Sequence, residues 1–158
     1  MILELYTDGS LIRKNGKQYV GYGIFFPNKE YQNVSNSLDV YDIHFAEMYA
    51  IKHALKIIKN DILKYQMINI YTDSYHSIKK IKKWFNFYQH NLIDEIKTKK
   101  GRDIKNKILL LEIYDIISNN IKKINLIHIK SHKRDKNEYH NNNSIADKLA
   151  KKGAKLKC

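Results

Sequence analysis

A six-residue pattern occurs twice in this chain: Leu3-Glu4-Leu5-Tyr6-Thr7-Asp8 returns as Ile68-Asn69-Ile70-Tyr71-Thr72-Asp73. In both copies apolar residues alternate with polar or aromatic ones, the period-2 signature of a β-strand. The phase is shared, so Asp8 and Asp73 project from the strand face opposite Leu3-Leu5 and Ile68-Ile70. Both copies end on an aspartate before a turn-like pair, Gly9-Ser10 or Ser74-Tyr75. If the two strands are parallel neighbours, about 4.8 Å apart, their terminal carboxylates converge on one point. Two crowded carboxylates oppose each other's ionisation, and a divalent cation is the simplest compensation.

The rest of the chain supplies elements around this pair. The alternation predicts strands over 2–8, Tyr19–Phe26 and Tyr31–Ser37, with Asn15-Gly16 as a turn. From Ile43 to Asn60 the spacing becomes helical, with Glu47, Ile51, Leu55 and Ile58 on one stripe. Residues 67–72 form the repeated strand, followed by a helix from Ser74 to Phe85. A basic stretch, Lys97–Lys107, leads to a helix from Ile108 to Ser118, then a strand over Ile124–Ile129 and a helix over Ser144–Lys155. The order β-β-β-α-β-α-α-β-α predicts an α/β mixed sheet with helices on its faces. With 158 residues and no linker of biased composition, one domain over 1–158 is expected.

Lys and Arg number 29 against 16 acids, a formal +13, which favours a polyanionic partner. A lysine-rich composition arising from A/T-rich coding would contribute the same excess. No apolar run approaches the roughly 20 residues of a membrane span, so no membrane partner is expected. The single cysteine, Cys158, cannot close an internal disulfide, which fits an intracellular setting. No heptad or isologous patch is legible, so a monomer is expected.

Two further acids stand out. Glu47 lies on the apolar stripe of its helix, where a carboxylate is costly unless paired or metal-bound; a helix-start role is the alternative. Asp147, in Ala146-Asp147-Lys148-Leu149-Ala150, reads by itself as an acid favoured near a helix N-terminus.

Taken together, Tyr6-Thr7-Asp8-Gly9-Ser10, Gly21-Tyr22-Gly23, Ala46-Glu47-Met48-Tyr49-Ala50, Tyr71-Thr72-Asp73-Ser74, His128-Ile129-Lys130-Ser131-His132 and Asn143 with Ala146-Asp147-Lys148-Leu149-Ala150 resemble type I ribonuclease H along nearly the whole chain. The segment from His44 to Leu55 is most similar to retroviral ribonuclease H domains. The resemblance implies the ribonuclease H-like fold: a five-stranded mixed sheet, its first three strands antiparallel and the rest parallel, with helices on both faces. It implies an endonuclease that hydrolyses the RNA strand of RNA–DNA hybrids and leaves 5′-phosphate and 3′-hydroxyl ends. Asp8, Glu47, Asp73 and Asp147 would hold two Mg²⁺ ions about 4 Å apart, with Mn²⁺ as a possible substitute. His132 would aid proton transfer or product release.

The same resemblance assigns Gly9, Ser10, His44, Tyr75, Lys82, Lys83, Trp84, Lys100, Asn106 and Asn143 to nucleic-acid binding. Here the sequence also departs from the family. A Thr-Asn-Asn-Arg or Gln-Arg run usually precedes the metal-binding glutamate, where this chain has Asp42-Ile43-His44-Phe45. Tyr75 stands where a glutamine is common. The lysines around Trp84 and from Lys97 to Lys107 resemble a basic protrusion that grips phosphates. Two other readings share the fold: a catalytically weak nucleic-acid-binding domain, and a related two-metal nuclease acting on DNA.

Overall fold

The computed structural model describes residues 1–130 and 137–158. Strand β1 runs over Ile2–Lys14 and β2 over Lys17–Phe25. Asn15 (φ 53°) and Gly16 (φ 74°) join them, the paired positive φ values that a tight two-residue hairpin requires. Next come β3 (Val34–Leu38), α1 (Ile43–Ile58), β4 (Met67–Thr72), α2 (Tyr75–Gln89), α3 (Lys107–Ile117), β5 (Ile124–His128) and α4 (Glu138–Lys155). A 3-10 turn, Lys59–Lys64, connects α1 to β4.

The sheet order is β3-β2-β1-β4-β5, antiparallel from β1 to β3 and parallel from β1 through β4 to β5. Leu3 pairs with Ile68, Leu5 with Ile70 and Thr7 with Thr72, the register that the shared phase implies. One sheet face buries Leu3, Leu5, Ile68 and Ile70 with Ile51, Leu55 and Ile58 of α1 and Leu110 and Ile113 of α3. On the other face Tyr6 and Tyr71 pack with Ile129 and Ala146 of α4, their rings stacked at 4.7 Å. The α/β mixed sheet with helices on both faces is as expected.

Two boundaries differ most. β1 does not turn after Asp8 but continues to Lys14, so Gly9 is a mid-strand residue. A Cβ there would lie 2.8 Å from the Glu47 backbone nitrogen, so Gly9 permits close packing against α1 rather than a turn. α4 starts six residues before Ser144, capped by Asn137, whose side chain accepts from the His140 N–H. Its first turns contain His140-Asn141-Asn142-Asn143, residues of modest helix propensity, and packing against the sheet overrides that preference.

Close approach of α4 to the sheet needs residues without side chains. Cβ atoms at Gly21 and Gly23 would lie 2.1 Å from the Ala154 nitrogen and 2.7 Å from the Ala150 nitrogen. Gly153 repeats the requirement from the helix side, 2.3 Å from the Asn36 carbonyl oxygen. The pattern sets the height of α4, and with it Asp147, over β1 and β2.

Candidate active site

Parallel pairing of β1 and β4 ends at Thr7 and Thr72, so Asp8 and Asp73 emerge side by side, one residue further on. α1 crosses the same point and delivers Glu47. One carboxylate oxygen from each of Asp8, Glu47 and Asp73 lies within 4.8 Å of the others. Asp8 is buried, 3% exposed. That burial first, and then the charges of Asp73 and Asp147, push its carboxyl far above the usual carboxylate range. Burial and Asp73 likewise raise Glu47. Asp8 and Glu47, held against their own ionisation beside a third carboxylate, fit a divalent cation, which would restore their charged forms. All-oxygen donors suit a hard ion such as magnesium.

Ser74 orients Glu47. It caps α2, accepting from the Ser77 N–H at 3.2 Å, and its hydroxyl donates to Glu47 Oε2 at 2.8 Å. The cap is legible in sequence as a serine ahead of a helix; its bond to a glutamate 27 residues away is not. Gly9 N–H donates to Asp8 Oδ1 at 2.9 Å, and Ser10 is buried.

Asp147 stands slightly apart. Its charge reaches Asp8, yet it is not in the three-acid cluster, and Lys151 Nζ pairs with its Oδ2 at 2.8 Å. Asp147→Asn is therefore expected to cost less activity than Asp8→Asn at equal Mg²⁺. Comparing kcat for the two variants checks this; equal losses would count against a peripheral role. His132 lies outside the described residues.

The departures before Glu47 acquire a local reason. Asp42 caps α1, its Oδ1 accepting from the His44 N–H at 3.0 Å, and Lys105 Nζ sits 3.1 Å from Oδ2. Burial opposes ionisation of Asp42, but Lys105 and the His44 N–H outweigh it and hold the carboxyl below its usual range. His44 Nδ1 lies 3.5 Å from Glu47 Oε2, and the ring stacks on His76 at 4.1 Å. Tyr75 is exposed, its ring edge-on to His128 at 5.4 Å.

The remaining nucleic-acid candidates divide. Lys83 and Trp84 line an open cleft of about 530 Å³ with His76, Lys79, Lys97 and Lys99, and Lys83 Nζ lies 4.9 Å from the Trp84 ring centre. Lys82 and Lys100 are exposed but do not line the cleft. Charge counting alone does not separate lysines that share an opening from neighbours one residue away. Asn106 adopts a left-handed conformation ahead of α3 (φ 62°) and lines a second cleft with Phe45, Tyr49 and Lys52. Asn143 is buried, and its Oδ1 has no hydrogen-bond partner among the described residues.

A mixed sheet that brings three carboxylates to one point on a strongly basic chain is an arrangement that suits a divalent-metal-dependent nuclease. The comparisons with known proteins specify which. The RNase H family model matches residues 2–155. Ribonuclease HI of Haemophilus influenzae is 29% identical over 160 residues, covering 96% of this chain and 89% of the relative. The solution structure of the PFV RNase H domain superimposes with a TM-score of 0.75 at 25% identity, covering 96% of this chain and 93% of that one. The foamy viral protease-reverse transcriptase in complex with dsDNA gives 0.77 at 24% identity, covering 97% and 94%. The chain belongs to the RNase H family, hydrolases that act on RNA–DNA hybrids.

Proposed function

We propose that residues 1–158 act as one catalytic domain, an endoribonuclease that cuts the RNA strand of RNA–DNA hybrids and leaves 5′-phosphate and 3′-hydroxyl ends. Convergence of Asp8, Glu47 and Asp73 carries this reading; a domain that only binds nucleic acid gains nothing from clustered carboxylates facing phosphate. Two Mg²⁺ ions, with Mn²⁺ as a substitute, would supply activation of water and stabilisation of the leaving 3′ oxygen. Asp8, Glu47 and Asp73 hold that site, with Asp147 beside it. Ser74 keeps the Glu47 carboxylate turned inward. His132, four residues beyond the end of β5 in sequence, is assigned a proton-transfer role.

A relative of the same fold, the foamy viral protease-reverse transcriptase, is described in complex with RNA/DNA hybrid, and the hybrid is the partner proposed for this chain. No helix among the described residues is long and apolar enough to cross a membrane. An intracellular monomer is the proposed working form.

The cleft lysines hold phosphates. Each phosphate contact contributes a slope of roughly −0.9 to the dependence of log affinity on log salt. Neutralising Lys79, Lys83, Lys97 and Lys99 together is expected to weaken hybrid binding and flatten that slope. Neutralising Lys82 and Lys100 is expected to do less. Binding titrations across salt concentrations check this, and an unchanged slope in the fourfold variant would remove the cleft from the interface.

The function itself is tested with labelled RNA–DNA hybrid, RNA duplex and DNA duplex in Mg²⁺. Cleavage of the hybrid's RNA strand alone is expected. Equal cleavage of all three would overturn hybrid selectivity.

A further inference from the structure

The Trp84 cleft has two walls of the same charge. Lys79, Lys83 and Trp84 come from α2, whereas Lys97, Thr98 and Lys99 come from the segment between α2 and α3. That segment closes on itself. Lys97 and Asp103 form an antiparallel bridge, Thr98 N–H donates to the Arg102 carbonyl at 2.7 Å, and Gly101 turns at φ 77°. Like charges facing each other across an opening repel, so the second wall needs anchors at its base. Ile96, fully buried, anchors the start by packing.

Asp42 holds the other end. While its Oδ1 caps α1, its Oδ2 is buried and has Lys105 Nζ as ion-pair partner at 3.1 Å. The Lys105 carbonyl in turn accepts from Lys80 Nζ on α2. Lys105 is thereby gripped from the start of α1 through its side chain and from α2 through its backbone. The Asp42 charge also reaches Lys80 and His76, which line the cleft. Asp103, the acid inside the segment, is taken by Lys107 within the same stretch of chain.

We propose that Asp42 is a latch: it fixes the 97–105 segment against α1 and so sets the width of the cleft and its affinity for the phosphates of the hybrid. Asp42 is a positioning residue, and its role rests on the phosphate-holding function proposed for the cleft. An exposed ion pair contributes little by itself. Here the Asp42 side chain is only 20% exposed, and the pair joins two helices to the loop wall.

Asp42→Asn tests the latch by the sign of its effect. Asparagine caps a helix as well as aspartate does, so α1 keeps its start while the chain gains one unit of positive charge. If charge alone governed binding, affinity would rise; an open latch lowers it. With the full chain and a labelled hybrid in EDTA, the Kd is expected to rise about fivefold, equivalent to about 1 kcal/mol. The salt slope should flatten by roughly 0.9, one phosphate contact. In Mg²⁺ the KM should rise while kcat at saturating hybrid stays at the wild-type value. In a Lys105→Met background, Asp42→Asn should change the Kd no further, because the two residues act as one unit. Unchanged or tighter binding by Asp42→Asn, a fall in kcat in place of the rise in KM, or an equal effect with and without Lys105 would overturn the proposal. The variant with Lys79, Lys83, Lys97 and Lys99 neutralised separates the two levels. Lost affinity there beside wild-type affinity in Asp42→Asn removes the latch alone, and wild-type affinity in the fourfold variant removes cleft and latch together.

Discussion

Asp8→Asn is expected to abolish nearly all hybrid cleavage and, in metal-free buffer, to make the protein more stable. The two effects have one cause. Asp8 is buried beside Asp73, and burial first, then the charges of Asp73 and Asp147, raise its folded-state pKa from the usual 3.8. A raised carboxyl pKa means that the folded state holds a proton that the unfolded state has released. Its stabilising contribution is full below pH 3.8 and is lost as pH rises through the folded-state value. Asparagine removes this loss, because it is neutral at every pH. Each pKa unit of displacement amounts to about 1.4 kcal/mol, and a domain of this size gains roughly 2–4 °C per kcal/mol. A Tm increase of about 5 °C at neutral pH in EDTA is therefore expected, shrinking as the pH is lowered towards 4. Catalysis goes the other way. Removing a metal-holding carboxylate costs several kcal/mol of transition-state stabilisation, or roughly 10³-fold in rate. Thermal melts at several pH values, run beside a cleavage assay, check both halves. A variant that is less stable than wild type in EDTA would refute the account of Asp8 as a strained, metal-awaiting acid.

Gly21→Ala is expected to be the most damaging conservative change outside the carboxylates. A methyl group at this position would sit 2.1 Å from the Ala154 nitrogen and 2.6 Å from the Gly153 carbonyl carbon. Both atoms belong to helix backbone, so no side-chain rotation relieves the overlap, and α4 must move outward. Overpacking of this kind costs about 3 kcal/mol or more, equivalent to roughly 6–12 °C in Tm. The displaced helix carries Asp147, so activity should fall further than the melt alone explains. Gly16→Ala is a useful contrast: nothing lies within 4 Å of its Cβ position, and the cost there comes only from its φ of 74°. Melting curves for both variants check the difference. Equal, small losses would show that α4 does not rest on the Gly21 backbone.

What the sequence makes legible depends on the range of the interaction. β4 can be read to the residue, because alternation, β-branched content and the following Ser74 cap all agree locally. The β1–β4 register follows from the shared phase of Leu3-Leu5 and Ile68-Ile70, and it places two of the three clustered acids correctly. Glu47 is legible as a carboxylate on an otherwise apolar stripe. The length of β1 is not, because Gly9-Ser10 looks like a turn and only the proximity of α1 reveals why a glycine is required in mid-strand. The early start of α4 is hidden by an asparagine run whose local preference is outweighed by tertiary packing. Whether Asp147 is free or held by Lys151, and which lysines share the Trp84 cleft, depends on side-chain directions that charge patterning does not encode. Asp42 illustrates the reverse case. In sequence it is only a departure from a family motif, whereas in the fold it caps α1 and is paired with Lys105.

The central claim is that Asp8, Glu47 and Asp73 form one divalent-metal site that cuts the RNA of a hybrid. Its most direct test is cleavage of an RNA–DNA hybrid, labelled on the RNA strand, by wild type and by Asp73→Asn, each with Mg²⁺ and with EDTA. Cleavage by wild type in Mg²⁺ alone is the expected result, with the variant and both EDTA samples inactive. Equal cleavage by Asp73→Asn, or cleavage that survives EDTA, would contradict it.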